Sequence, residues 1–387
     1  MRTLPLLSLC VLLLSTTACT GVSSILGGGG WTTSAHPCAG NRTDAMWFDD
    51  EHTGFVGCGT TTEGYGLYTT TNGGSSWSLV PSPNDFLSTM RVNSLSRGAD
   101  GKLYVGGIGD NGARVVTLLN GELSEFYLTP SSGVQVWQGF QVGTFRIDSN
   151  GRAVSESLTG SDVMYWPSAT GGQVTAADAV NGYGWWEQAT IEGSGAQILD
   201  LEVHGDRFYG VGSTISQPPY FFYEPASGFP EDGFALQAIR LSDDGLAAFD
   251  GEVWDIAIDT AGDMLLAGVN ENSNTAVAWF NTGDPTAATS WIMVDMSAIL
   301  TSGNDDATRF YGACRAGNLM VAVGDYSQRG NALLMLSQDG GATWTEQTPP
   351  TSDVNPVGPL SKCQFLGQKA YITGADGFFG VLDVAGI

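Results

Sequence analysis

The stretch Ser337-Gln338-Asp339-Gly340-Gly341-Ala342-Thr343-Trp344 carries the most informative turn signal of this 387-residue chain. A carboxylate such as that of Asp339 can accept hydrogen bonds from backbone N–H groups in a tight turn, and glycine adopts backbone conformations that other residues resist. A terminal tryptophan supplies a large apolar surface that can pack beneath a hairpin. The stretch therefore predicts a tight turn between two β-strands.

A second stretch, Thr70-Thr71-Asn72-Gly73-Gly74-Ser75-Ser76-Trp77, repeats this pattern with Asn in place of Asp and Ser in place of Thr. Weaker versions occur at Ser242-Asp243-Asp244-Gly245 and Asp148-Ser149-Asn150-Gly151. Because the same turn signal returns along the chain, we looked for a larger repeat around it.

The larger repeat is a short apolar run, a polar or glycine turn, and a second apolar run that usually ends in glycine, which is the signal of a β-hairpin. Its period is about 45 to 60 residues, in the range of propeller blades with loop insertions. The paired runs are 45–48 with 54–57, 92–95 with 102–107, 137–147 with 152–154, 198–203 with 207–212, 253–258 with 264–268, 310–314 with 319–324, and 363–366 with 370–374.

The repeats predict an all-β protein, a seven-bladed β-propeller of four-stranded antiparallel blades. Each unit has room for two outer strands, such as 66–70 and 77–80 in the first. The last unit has residues for only about three strands, and we expect 30–34 to supply the fourth and close the ring. Six and eight blades are the alternative counts.

The stretch 337–344 matches the Asp-box, or bacterial neuraminidase repeat, at every position, and 70–77 is similar to it. The resemblance implies a propeller in which the box lies on an outer hairpin, away from any active face. It assigns structural roles rather than chemistry. The residues concerned are Thr70, Asn72, Gly74, Trp77, Ser337, Asp339, Gly341 and Trp344.

The opening repeat, 46–57 followed by the turn at 72–77, resembles the photosystem II assembly-factor-like propellers. That resemblance implies an exported, seven-bladed scaffold rather than an enzyme. Photosynthetic members use an arginine-rich basic patch. This chain is strongly acidic, so we do not transfer that particular partner.

The composition supports the prediction of an all-β fold and limits the classes of molecule that the protein could bind. The chain has 54 Gly, and 14% of its residues are charged, against roughly 25% in an ordinary soluble protein. Its three lysines are Lys102, Lys362 and Lys369, which disfavours long helices. The net charge of −25, from 40 acidic and 15 basic residues, makes nucleic acid a poor partner.

The N-terminus predicts export. Arg2, a short apolar run and small residues before Cys19 are typical of a bacterial lipoprotein signal over 1–18. We expect Cys19 to be lipidated, 19–30 to be a glycine-rich tether and 31–387 to be one propeller domain. Thr20 after Cys19 indicates the outer membrane by analogy with lipoprotein sorting, with the protein facing the periplasm or the cell surface.

Four cysteines remain in the predicted mature domain: Cys38, Cys58, Cys314 and Cys363. An even number in an exported chain suggests two disulfides. The pairs Cys38–Cys58 and Cys314–Cys363 would staple the first blade and the last two, although sequence alone does not fix the connectivity. Short paired spacings typical of a zinc site are absent from the sequence.

Sialidases share the Asp-box and supply the enzyme hypothesis. Their site needs three arginines for a sugar carboxylate and a Tyr–Glu pair. The candidates here are Arg240, Arg309 and Arg315, with Tyr311 close to the last two. Arg146 lies in a Phe-Arg-Ile sequence similar to the sialidase motif, without its proline.

Other chemistry has weaker support. The sequence lacks the serine-hydrolase elbow, the zincin motif and the phosphate-binding glycine loop. No cofactor is expected, although Ca²⁺ at the acidic groups 49–51 or 304–306 is a weak alternative. The aromatic runs 185–186 and 218–223 could stack on sugars or on a protein partner, but in so aromatic a chain blade cores explain most such residues.

We therefore expect a non-catalytic scaffold that binds an envelope protein or complex. The connections 160–192 and 216–234 are the expected working surface, because loops on a rigid scaffold carry recognition. The alternatives are an exo-acting glycosidase of sialidase type and a propeller that binds a glycan.

Overall fold

The computed structural model describes residues 30–35, 37–38, 43, 45–59, 66–82, 87, 90–109, 112–126, 142–157, 163–166, 197–213, 218–227, 236–241, 251–300, 307–327, 330–350 and 358–387. Nearly all regular structure in these residues is β, as the short apolar runs and glycine turns predict. Three short 3₁₀ helices span Ala288–Ser290, Met296–Ala298 and Val384–Gly386. Among the described residues no helix is long and apolar enough to cross a membrane.

The strands are β1 Trp31–Ala35, β2 Ala45–Phe48, β3 Gly54–Cys58, β4 Gly66–Thr70, β5 Ser78–Leu79, β6 Arg91–Arg97, β7 Leu103–Gly109, β8 Gly112–Leu119, β9 Glu122–Phe126, β10 Val142–Ile147, β11 Ala153–Ser157, β12 Val163–Trp166, β13 Gln197–His204, β14 Arg207–Ser213, β15 Tyr220–Tyr223, β16 Gln237–Arg240, β17 Gly251–Ile258, β18 Met264–Asn270, β19 Thr275–Asn281, β20 Trp291–Asp295, β21 Thr308–Ala316, β22 Leu319–Tyr326, β23 Asn331–Ser337, β24 Thr345–Glu346, β25 Leu360–Leu366, β26 Lys369–Gly374 and β27 Phe378–Asp383.

These strands form separate antiparallel sheets in chain order. Sheet I is β2 to β5, sheet II is β6 to β9, sheet III is β10 to β12, sheet IV is β13 to β16, sheet V is β17 to β20, and sheet VI is β21 to β24. Sheet VII has the order β25-β26-β27-β1. The fold is therefore an all-β propeller built from antiparallel blades of four strands.

The sheets close into a ring through their first strands. Each of β6, β10, β13, β17, β21 and β25 contacts the first strand of the sheet before it, and β25 also contacts β2 of sheet I. At the closure, β1 pairs with β27, with Trp31 opposite Leu382 and Ala35 opposite Phe378. The first and last parts of the described chain thus share one sheet, which hides most strand edges.

The expected strand count needs one correction. Six of the described sheets have four strands each, whereas the repeat predicts seven four-stranded blades. Sheet III has three strands in the part of the chain that the structure describes, and residues 167–196, which follow β12, lie outside it.

The core lies between neighbouring sheets. Side chains alternate across each strand, so both faces of a blade meet another blade. Phe280 of sheet V and Phe310, Met320 and Leu333 of sheet VI, for example, belong to one buried cluster. Each blade is therefore held by its two neighbours.

Both disulfides join parts of adjacent sheets. Cys314 on β21 is bonded to Cys363 on β25, with their Cα atoms 5.5 Å apart. Cys38, just after β1, is bonded to Cys58 at the end of β3, with a Cα separation of 5.2 Å. The predicted pairing is confirmed, and its effect is to tie sheet VI to VII and sheet VII to I.

Candidate functional site

A β-bulge recurs in the innermost strands and shapes the central channel. In five of these strands the pairing skips one residue, which adds an unpaired position. The skipped residues are Asn93, Leu199, Trp254, Tyr311 and Ser361. In β10 the shift leaves Gly143 and Thr144 opposite the single residue Glu156. Bulges re-aim side chains, and here they line one space at the axis.

The bulge also explains the glycine that ends the second apolar run in four of the repeats. A Cβ atom added at Gly107 would collide with the carbonyl oxygen of Arg91, and one at Gly324 with that of Arg309. A Cβ atom at Gly212 or Gly268 would likewise collide with a backbone carbonyl oxygen of the innermost strand in its own sheet. The innermost strand approaches its neighbour too closely for any side chain.

A buried charge cluster lies one residue beyond the bulges. Lys362 on β25 donates to Asp255 on β17, and its Nζ lies 3.9 Å from Oδ2 of Asp200 on β13. Asp255 also accepts from the backbone N–H of Ala313 at 2.6 Å. Asp200 accepts from the hydroxyl of Thr144 at 2.9 Å. The cluster therefore joins sheets III, IV, V, VI and VII across the channel.

Gly312 makes this arrangement possible. It occupies in sheet VI the position that Asp255 occupies in sheet V and Lys362 in sheet VII. A Cβ atom here would lie 2.6 Å from the carbonyl oxygen of Ser361 and 3.0 Å from Cα of Lys362. Because sheet VI presents no side chain at this position, Lys362 can reach past it to Asp255.

Arg146 on β10 extends the cluster toward the far end of the channel. Its guanidinium donates to Glu202 on β13 at 2.6 Å and lies 3.8 Å from Asp200. It also donates to the hydroxyl of Ser94 on β6 at 3.2 Å. The cations in the cluster therefore already have carboxylate partners.

The two aspartates titrate as a pair, because their carboxyl groups bond to each other. Burial raises the pKa of Asp255 well above its usual range, despite the opposing effect of Lys362. Burial acts on Asp200 in the same direction, but Lys362 and Arg146 outweigh it and lower that pKa.

A smaller cavity, which we call the bulge pocket, opens beside the cluster where the innermost strands begin. It has a volume of about 120 Å³ and contains the bulge residues together with Arg91, Glu156, Gln197 and Lys362. The rings of Trp254 and Tyr311 meet edge to face in it, with centroids 6.0 Å apart. The larger channel cavity, of about 610 Å³, continues from Thr144 and Lys362 to Arg315 at the other end.

Glu156 is the unusual residue of the bulge pocket. It lies on β11 where the other sheets have small or apolar residues, namely Gly106, Val211, Ala267, Val323 and Thr373. Its side chain is 2% exposed, and neither carboxyl oxygen has a hydrogen-bond partner of good geometry among the described residues. Burial, followed by the negative charge of Asp200, raises its pKa well above the usual range.

The two predicted turns share one set of hydrogen bonds. Gly341 donates to the hydroxyl of Ser337 at 2.9 Å, and Thr343 donates to Asp339 at 2.8 Å. Gly74 and Ser76 make the equivalent bonds to Thr70 and Asn72, both at 2.9 Å.

Both turns join the third and fourth strands of their sheets, at the outer side. The φ angles of Gly74 and Gly341 are +86° and +92°, in the region that favours glycine. A side chain at Gly74 would strike Phe379 of sheet VII, and one at Gly341 would strike Phe280 of sheet V. Each turn therefore packs against the preceding blade.

The arginines of the sialidase hypothesis are not brought together. Arg240 is exposed on β16, the outermost strand of its sheet. Arg309 and Arg315 lie six residues apart on β21, a separation of roughly 20 Å along a strand. Arg315 donates to the carbonyl of Met264 at 2.7 Å and pairs with Asp263 at 3.2 Å. Tyr311 lies in the bulge pocket, away from Arg240.

The acidic group 49–51 bonds within the protein. Asp49 pairs with Arg97, Asp50 accepts from the backbone N–H groups of His52 and Thr53, and Glu51 pairs with Lys369. Among the described residues no group of three or more His, Cys, Asp or Glu side chains could hold a metal ion. The run 220–223 forms β15, and Phe221 and Phe222 are fully buried.

Several predictions concern residues outside the described ranges. They are the signal 1–18, Cys19, most of the tether, the turn at 242–245, the acidic group 304–306, Trp185 and Trp186, most of the connection 160–192, and residues 216–217 and 228–234 of the connection 216–234.

Sequence reasoning missed the central residues of the channel. Asp200, Asp255 and Lys362 occupy equivalent repeat positions, so aligning the repeats on the glycine that ends the second strand could have found them. Glu156 would have escaped that alignment, because Ser157 replaces the glycine in sheet III. The bulge itself shows no sequence signal that we recognise.

Comparisons with known proteins support the fold. No protein-family model matches this chain, and no curated protein matches it. Among solved structures, YCF48 bound to a D1 peptide is similar, with a TM-score of 0.58 and 17% identity over 92% of this chain and 98% of that one. Virginiamycin B lyase from Staphylococcus aureus gives a TM-score of 0.56 and 11% identity over 91% and 98%.

A GH74 xyloglucanase from Xanthomonas campestris is also similar, with a TM-score of 0.59 and 13% identity. The match covers 92% of this chain and 54% of the xyloglucanase. The names of the three proteins indicate different activities or ligands. At these identities the likeness establishes a β-propeller and does not transfer a function.

Proposed function

We propose that this protein is an exported, lipid-anchored, seven-bladed propeller that acts as a non-catalytic protein-binding scaffold in the bacterial envelope. In this proposal sheet III is the seventh blade, the turns at 70–77 and 337–344 are Asp-boxes, and Cys19 carries the lipid on the outer membrane. The partner is an envelope protein or complex. The likeness to YCF48 solved with a peptide is consistent with a protein ligand.

The observation that carries the proposal is the internal pairing of charges in the channel. Lys362 and Arg146 are held by Asp255, Asp200 and Glu202. A sialidase-type site would instead need converging arginines that are available to a substrate carboxylate. A channel neutralised by its own blades favours a rigid frame that presents its surface to a partner.

Two exposed hairpin turns lie on opposite faces of the propeller. Asn272 lies in the turn between β18 and β19, on the face where innermost strands begin. Asn318 lies in the turn between β21 and β22, on the other face. The segments that connect one sheet to the next lead into the innermost strands at the first face, and we propose this entry face as the docking surface.

Affinity purification from crosslinked envelopes of the native host tests the scaffold. We expect one envelope protein or complex to be recovered reproducibly with the tagged protein, whereas recovery of the protein alone would contradict the proposal. A Cys19→Ser variant tests the anchor separately. It should be released in soluble form, and continued membrane retention would refute lipidation at this cysteine.

A further inference from the structure

Two buried polar groups in the bulge pocket have no hydrogen-bond partner of good geometry among the described residues. They are the carboxyl group of Glu156 and the indole N–H of Trp254. A buried polar group without a hydrogen bond costs roughly 1–3 kcal/mol. Sheets IV and VI place Val211 and Val323 at the position of Glu156, so the fold itself does not require an acid there. Both groups border the same cavity, which points to a ligand.

The charges around the pocket indicate that this ligand is neutral. Lys362 is held by Asp255 and Asp200, and Arg91 has an interaction partner of its own. An anion would therefore compete with existing ion pairs. A cation would sit beside Lys362, which lines the pocket. An uncharged ligand avoids both costs.

The unpaired groups need a ligand that both donates and accepts hydrogen bonds. The Trp254 N–H can only donate, whereas the Glu156 carboxyl accepts and, when protonated, also donates. A hydroxyl group satisfies either of them, because it is donor and acceptor at once. The edge-to-face rings of Trp254 and Tyr311 supply an apolar surface for the carbon face of such a molecule.

We propose that the bulge pocket binds a neutral, hydroxyl-rich ligand the size of one sugar ring, held by Glu156 and Trp254 against the ring of Tyr311. The volume of about 120 Å³ fits a single ring rather than a chain. Gly143 also lines the pocket and contributes no side chain to it. The inference does not depend on the scaffold proposal, since a partner could dock on the entry face with the pocket filled or empty.

Saturation-transfer NMR on the full-length protein tests this. The neutral probes are the methyl glycosides of glucose, galactose and mannose, and the matched charged probes are glucuronate and glucosamine. N-acetylglycinamide serves as a peptide-like probe. We expect saturable binding of at least one neutral glycoside. Binding of none of them, or preferential binding of a charged or peptide-like probe, would overturn the proposal.

Variants locate the site. Glu156→Val installs the residue found in sheets IV and VI, so it should fold at least as well as the wild type while its affinity falls about tenfold or more. Trp254→Phe keeps the aromatic face and removes the N–H, and should also weaken binding. Glu122→Gln changes an exposed carboxylate on β9 and should bind normally. Unchanged affinity in folded Glu156→Val would show that the pocket is not the site.

Discussion

Lys362 of sheet VII bonds to Asp255 of sheet V, although sheet VI lies between them. The contact passes over Gly312, whose missing side chain leaves the path open. Asp200 of sheet IV lies 3.9 Å from the same ammonium group. One lysine therefore links three blades that are not all neighbours, and it does so with both carboxylates buried.

Replacement of Lys362 tests the role of this link. We expect Lys362→Met to lower the free energy of unfolding by roughly 3 kcal/mol, because it leaves the buried Asp255 without its cation and Asp200 with Arg146 alone. Urea denaturation gives the measurement. Lys369→Met is the matched control, since Lys369 pairs with the exposed Glu51 and should matter little. Equal losses in the two variants would contradict a special role for Lys362.

Gly312→Ala tests whether Lys362 reaches Asp255 because sheet VI has no side chain at position 312. The added methyl would meet the carbonyl of Ser361 and Cα of Lys362. Since both obstacles are backbone atoms, we expect a loss of about 2 kcal/mol or more, as in other overpacked cores. Gly283→Ala is the control, because nothing lies within 4 Å of its Cβ position. A Gly312→Ala protein as stable as the control would show that sheets VI and VII can separate freely.

The raised pKa of Glu156 predicts a pH dependence of stability. The unfolded chain loses this proton near pH 4.5, whereas the native protein keeps it to higher pH. The contribution of Glu156 to stability is therefore fully present below that value and is lost as pH rises toward the native pKa. Glu156→Gln should match the wild type at low pH and exceed it increasingly toward neutral pH in urea titrations. A difference that is constant with pH would refute the raised pKa.

The disulfide between β21 and β25 should stabilise the ring. Closing a loop with a sequence separation of 49 residues contributes roughly 2–4 kcal/mol in the chain-entropy account. We expect the double variant Cys314→Ala/Cys363→Ala to lose that amount under oxidising conditions. A reducing agent should then cost the variant only the contribution of Cys38–Cys58. No loss in the double variant would indicate that β21 and β25 are already fixed by their packing.

Much of the fold was predictable because its signals are local. The turns at 70–77 and 337–344 specify hairpins through bonds within eight residues, and repeated apolar runs mark the strands. An even cysteine count in an exported chain predicted two disulfides, but the count alone does not determine which cysteines pair. The repeats predict four strands for sheet III as well, and residues 167–196, which follow its third described strand, lie outside the described part of the chain.

The site was far less predictable, because it depends on register. Lys362 and Asp255 are separated by more than one hundred residues and meet only after six bulges align the strands. A one-residue shift turns a side chain from one face to the other. Arg309 and Arg315 show the converse: they are close in sequence, yet their strand carries them to opposite ends of the channel.

Site-specific photo-crosslinking tests the scaffold proposal most directly. A photoreactive residue replaces Asn272 on the entry face or Asn318 on the opposite face, both exposed in hairpin turns. After irradiation of intact native cells, we predict a discrete crosslinked protein from the Asn272 position and little from Asn318. An absence of any specific adduct at Asn272, or equal adducts at both positions, would contradict a protein-binding scaffold that docks through its entry face.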